Sequence, residues 1–311
     1  TVSSTGVITA KAKGTARITA VHTGGNADGS YTGTASCTVV VGEHYHCTTC
    51  GGYSCANAGH KKTEFTKWVS TDSLPTESGA YYLANNVTLS AQTQINADVT
   101  LCLNGKTVTA NGNGAVNVTG GKFTLVDCTG DGAFVKSGTL SDQTGVITVS
   151  GGTFNMNGGT VDASAATGQN GTALYIKPGA YATVKGGLLS GGSATENGGT
   201  VYNAGTLTVS GGTISGGTAQ NGGTVYAAGK LEINGGTVIG GTASANGGTV
   251  YIANGDSSIT GGTIAGGTAQ NGGALAVGNY SFEMTDGVIT GGNASKNGGS
   301  VALLGSAFTL T

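Results

Sequence analysis

The sequence predicts an all-β fold, a parallel β-helix with three short strands in each turn. Three observations predict it. The block Gly186-Gly187-Leu188-Leu189-Ser190-Gly191-Gly192 returns, with small changes, at 211–217, 235–241, 261–267 and 286–292. A second landmark, Asn-Gly-Gly, begins at Asn197, Asn221, Asn246, Asn271 and Asn297, in steps of 24, 25, 25 and 26 residues. A fixed period of this size marks stacked structural units. Between the glycines, apolar residues alternate with period 2 in runs too short for a helix.

Each strand of the turn has its own signature. Thr200-Val201-Tyr202 becomes Thr224-Val225-Tyr226, Thr249-Val250-Tyr251, Ala274-Leu275-Ala276 and Ser300-Val301-Ala302, with an aliphatic residue always in the middle. Leu207/Val209, Leu231/Ile233, Ile259, Phe282/Met284 and Phe308/Leu310 mark a second stretch, and Ile214, Val238, Ile264 and Ile289 a third. Each strand is expected to pair in parallel with its copy one turn away. Aliphatic side chains then stack inward in columns, and glycines supply the φ > 0 corners. A propeller blade needs about 40 residues per repeat. A turn of this length with Asn at its corner resembles the pectate-lyase-like β-helix class, which implies a right-handed coil.

Composition narrows the class further. Of 311 residues, 61 are Gly but only 2 are Pro, which excludes collagen; 9% are charged and the net charge is −2. Neither a nucleic-acid partner nor a membrane surface is expected from such a balance, and no apolar run approaches the length of a membrane span. Abundant Thr, Ser, Asn and Gly are associated with extracellular proteins.

Three regions are expected: 1–41, 42–62 and 63–311, the last carrying the regular repeats 186–311. In the first, Ser4-Thr5-Gly6-Val7-Ile8-Thr9-Ala10-Lys11-Ala12-Lys13-Gly14-Thr15-Ala16, followed by Ala35-Ser36-Cys37-Thr38-Val39, resembles the C-terminal half of a bacterial immunoglobulin-like domain of the second group. That resemblance implies part of a β-sandwich module found in adhesins and surface-layer proteins. In the second, Cys47, Cys50, Cys55 and His60 have the spacing of a zinc knuckle, with His46 as a substitute ligand. Thiolate and imidazole suit tetrahedral Zn²⁺, and four protein ligands make such a site structural. Disulfides among the same cysteines are the alternative.

The coil is expected to begin near residue 80, with Trp68 as a plug over its first turn. The segment from Tyr81-Tyr82-Leu83 through Val87-Thr88-Leu89-Ser90 to Leu101-Cys102-Leu103-Asn104-Gly105-Lys106-Thr107-Val108 resembles the opening of β-helical surface proteins of gut Firmicutes. This implies a secreted or cell-surface bacterial protein and no particular activity. Cys102 and Cys128 are one turn apart, both opposite inward aliphatic neighbours. Stacked strands lie about 4.8 Å apart, within reach of a disulfide, so a bridge between the two is expected.

Catalysis is not expected. Glycoside cleavage needs two carboxylates about 5–9.5 Å apart, and Glu196, Glu232, Asp256, Glu283 and Asp286 occupy different positions of the repeat. Asp127 and Asp131 are the best local pair, with turn formation as their simpler role. Tyr175, Tyr202, Tyr226 and Tyr251 follow inward aliphatics one turn apart, so they should form an outward column. Such a column is a candidate contact for a carbohydrate or host-surface ligand; stacking that merely stabilises the face is the plainer reading. The expectation is an extracellular, non-catalytic bacterial surface protein, a stalk, fibre component or adhesin. Its final strand, 307–311, carries core residues, and end-to-end self-association into filaments is a further expectation.

Overall fold

The computed structural model describes residues 14–22, 33–41, 44–47, 62–254, 256–278, 280, 282–305 and 308–310. The chain divides into two compact units, Thr1–Tyr45 and His46–Thr311. In the first, Gly14–His22 pairs antiparallel with Gly33–Val41, and Ile18 lies opposite Cys37. Apart from His44 and Tyr45, the described residues of this unit form that one hairpin; the sandwich implied by the resemblance goes beyond it.

The second unit is a parallel β-solenoid of about nine turns, built, among the described residues, of strands and their corners. No helix among those residues is long and apolar enough to cross a membrane. One face is a ladder of nine strands: Thr93–Ile95, Val116–Val118, Ile147–Val149, Leu174–Ile176, Val201–Asn203, Val225–Ala227, Val250–Ile252, Leu275–Val277 and Val301–Leu303. Its register runs without a slip, so that Val116, Ile147, Leu174, Val201, Val225, Val250, Leu275 and Val301 stack in one column. All are buried except Val301, which is half-buried. The expected inward column is therefore present.

The other two faces join through bulges in a larger sheet. On one, Leu101, Leu125, Met156, Val184, Val209, Ile233, Ile259 and Met284 follow one another in register. On the other, Val108, Phe134, Val161, Leu189, Ile214, Val238, Ile264 and Ile289 do the same. These columns form one continuous apolar core. Aromatic side chains enter it mainly in the early turns, where Phe123 and Phe154 stack with centroids 5.8 Å apart. Leu74 is buried in the same core, and Trp68 packs against it. The indole also meets Tyr81 edge-on at 5.8 Å and donates its N–H to the Ser73 carbonyl at 2.8 Å. This is the plug expected of Trp68.

The corners explain the Asn-Gly-Gly landmark. Asn221 donates its amide to the side-chain oxygen of Asn197, Asn246 to Asn221, Asn271 to Asn246 and Asn297 to Asn271, at 2.7–3.1 Å. The glycine after each Asn has φ near +60°, as in Gly247 at 62°. A Cβ on Gly247 would also collide with the Val250 carbonyl oxygen, so both backbone conformation and space exclude a side chain there. The next corner holds a second polar row. Thr200, Thr224 and Thr249 are fully buried, and their hydroxyls donate to carbonyls of the facing Gly-Gly stretch, Thr224 to Gly240 at 2.9 Å. Buried hydroxyls are tolerated because each is paired.

Two stability measurements check this arrangement. Val250→Ala deletes two methyl groups from a fully buried column and should cost about 1–3 kcal/mol in urea unfolding. Asn246→Ala leaves an acceptor on Asn221 and a donor on Asn271 without partners. It should cost about 1–3 kcal/mol, a loss the ladder predicts and a solvated surface Asn would not show.

Candidate functional site

Chemistry-bearing side chains gather at the outer surface of the first turns. Leu101 and Leu103 point into the coil, which turns Cys102 to the opposite side. Cys102 nevertheless has no exposed surface, because Phe65 and Val126 pack on it, with Ala80, Tyr82 and Cys128 at the margin. Cys128 lies one turn further on, two residues beyond Val126, the residue paired with Cys102. Strand His44–Cys47 pairs with strand Lys62–Trp68, and its His46 is buried, the imidazole 4.6 Å from the Phe65 ring. The ligand atoms of His46, Cys102 and Cys128 all lie within 4.8 Å of one another. This His/Cys group is able to hold a metal ion.

The two cysteines meet as the sequence spacing requires, but as thiols. Their sulfurs are 3.7 Å apart, Cys102 donating to Cys128, where a disulfide needs about 2.05 Å. Cys128 in turn donates to the side-chain oxygen of Asn104 at 3.5 Å. Burial pushes the Cys102 thiol far up from its ordinary value and the Cys128 thiol up as well, since it strips solvent from the charged thiolate form. Of the expected zinc ligands, Cys50, Cys55 and His60 lie outside the described residues, as does the Cys47 side chain; only the Cys47 backbone, in the strand His44–Cys47, is described. His46, expected only as a substitute ligand, sits instead with Cys102 and Cys128.

The tyrosine column forms as expected, with Tyr175, Tyr202, Tyr226 and Tyr251 in register on consecutive turns. Ring centroids are 4.8, 5.3 and 5.7 Å apart, the first two pairs stacked at 22° and 8° and the last tilted at 55°. The column is less exposed than an outward position implies: Tyr175 is 7% exposed and the others are half-buried. Stacked rings cover one another's faces. Thr148 precedes the column and Ala276 and Ala302 follow it, so only four turns carry an aromatic.

Three of the candidate carboxylates are committed elsewhere. Asp127 accepts from the backbone N–H groups of Gly105, Gly130 and Gly132 at 2.7–3.0 Å and so organises a turn. Glu232 forms an ion pair with Lys230 at 2.6 Å, which holds its carboxyl below the ordinary value, and accepts from Thr208. Glu196 accepts from Gln169 at 2.9 Å. A shallow groove beside 164–167, Gly191–Ser193 and Gly217–Thr218 is lined only by small side chains and backbone.

The fold and site thus define a parallel β-solenoid with a His/Cys group on its first turns. No family model matches the chain, and neither a curated protein nor a solved structure does.

Burial raises all four phenols above their ordinary value near 10, and pushes Tyr175 up to about 12. A raised folded value means that folding favours the protonated form. That stability is complete below pH 10 and is lost as pH rises through the folded values. In an alkaline titration followed by phenolate absorbance, these tyrosines should ionise late. The urea midpoint should fall between about pH 10 and 12, and Tyr175→Phe should reduce that fall.

Proposed function

We propose that this chain is a non-catalytic structural module of an extracellular bacterial surface protein, a stalk or fibre component. In this reading residues 1–41 belong to an immunoglobulin-like module, and the coil is right-handed, the hand taken by nearly all parallel strand crossovers. One observation carries it: the turns stack in unbroken register through aliphatic, threonine and asparagine columns. The acidic side chains support the same reading. Asp127 ties down a turn, and Glu232 is paired with a lysine. Cleavage of a glycan needs two carboxylates facing one bond. The metal of this reading is structural zinc.

The second reading, a glycan-binding or glycan-cleaving solenoid, is favoured by the tyrosine column. Sugar rings stack on open aromatic faces, and the neighbouring tyrosines already occupy most of those faces here. The observation therefore fits a stabilising stack better.

Antibody raised against residues 62–311 should label intact, unpermeabilised cells that express the protein; label that appears only after permeabilisation removes the surface reading. Incubation of the chain with a panel of neutral and acidic polysaccharides should release no new reducing ends or unsaturated uronates. Release that Glu232→Gln or Asp127→Asn abolishes, with the fold intact, would establish the enzymatic reading instead.

A further inference from the structure

We propose that His46, Cys102 and Cys128 bind one tetrahedral Zn²⁺, which fastens His46 to two consecutive turns of the coil. The site stands on its own geometry and not on the surface-protein reading. Two thiolates and an imidazole are a donor set that selects zinc over oxygen-seeking divalent ions. Zn–S bonds of about 2.3 Å in a tetrahedron set two sulfur ligands about 3.8 Å apart. The Cys102 and Cys128 sulfurs are 3.7 Å apart, far too long for a disulfide and matched to one edge of that tetrahedron. All three ligand atoms fall within 4.8 Å of one another, close enough to share one ion.

The surroundings are those of a closed site. Cys102 and His46 are almost wholly buried, and Cys128 partly so. Phe65 and Val126 cover the sulfur side, and the Phe65 ring lies against His46. Binding replaces the thiol proton of each cysteine, so two protons leave as the two Zn–S bonds form. The thiolates, unfavourable in an apolar setting, then have a cation as partner. Because the cysteines come from successive turns and His46 from the strand His44–Cys47, the ion ties together segments about 60 and 80 residues apart in sequence, and chain closure of that kind stabilises most.

The full chain, expressed with zinc and kept reduced, tests this. Metal analysis should find about one zinc per chain. Replacement by Co²⁺ should give tetrahedral visible bands with thiolate charge transfer, and X-ray absorption should show two sulfur neighbours and at least one imidazole nitrogen. Cys47→Ser/Cys50→Ser/Cys55→Ser should keep the ion and that ligand count, whereas Cys102→Ser/Cys128→Ser should lose it. Both variants should retain the strand signature in circular dichroism, because the coil's core columns contain neither cysteine. Four sulfurs or three around the ion would overturn the proposal. So would retention of zinc in Cys102→Ser/Cys128→Ser, or a native protein with a Cys102–Cys128 disulfide and no metal.

Discussion

Everything in the coil follows from one constraint: each residue's lateral neighbour is its own counterpart one turn away. In-register parallel stacking places Val on Val, Asn on Asn and Tyr on Tyr. A side chain suits such a column only if it is attracted to copies of itself. Aliphatics satisfy this by burial. The Asn amide satisfies it because it carries both a donor and an acceptor, so every member of the ladder can give and accept along the axis. A carboxylate or an ammonium cannot, since like charges directly opposite repel. The low charge of the chain is thus a geometric consequence of its fold. Where charges do occur they stand singly in their columns, as Glu232 does between Thr208 and Ser258.

The same constraint governs the glycines. A corner must repeat its backbone conformation at every turn or the strands beyond it lose register. Gly198, Gly222, Gly247, Gly272 and Gly298 all have φ between 59° and 65°. A single turn with another conformation would displace the aliphatic column on one side and the asparagine ladder on the other. The landmark visible in the sequence is therefore the part of the turn with the least freedom, which is why its spacing is so regular.

This explains how much was legible. The columns of 186–311 could be written down from spacing alone, and Val201, Val225, Val250 and Leu275 are where period and alternation place them. The early turns were legible in outline, because Phe123, Phe154 and Met156 fill the same columns with larger side chains. Even the meeting of Cys102 with Cys128 followed from a separation of one turn. What periodicity cannot carry is a segment that joins the coil from outside it. Strand His44–Cys47 has no counterpart one turn away, so its pairing with Lys62–Trp68 leaves no repeated trace. For that reason His46 was grouped by sequence proximity with Cys47, Cys50 and Cys55, when its structural neighbours are 56 and 82 positions distant.

The burial of Tyr175 has a similar origin. Alternation tells which side of a strand a residue occupies, and Tyr175 is indeed on the side away from Leu174 and Ile176. It does not tell what lies on that side. Glycine corners beside the column remove the side chains that would hold the rings away from the backbone: a Cβ at Gly171 would press on the Cβ of Tyr202. The rings can then settle onto the coil and onto one another. An outward position in a solenoid is consequently either open or covered according to its neighbours, and Cys102 shows the limiting case. It faces away from the core columns, yet Phe65 from a covering strand leaves it no exposed surface. The repeated interior of such a coil is alike from turn to turn, so distinct chemistry arises where a non-repeating strand covers its outside, and here that place is the His/Cys group.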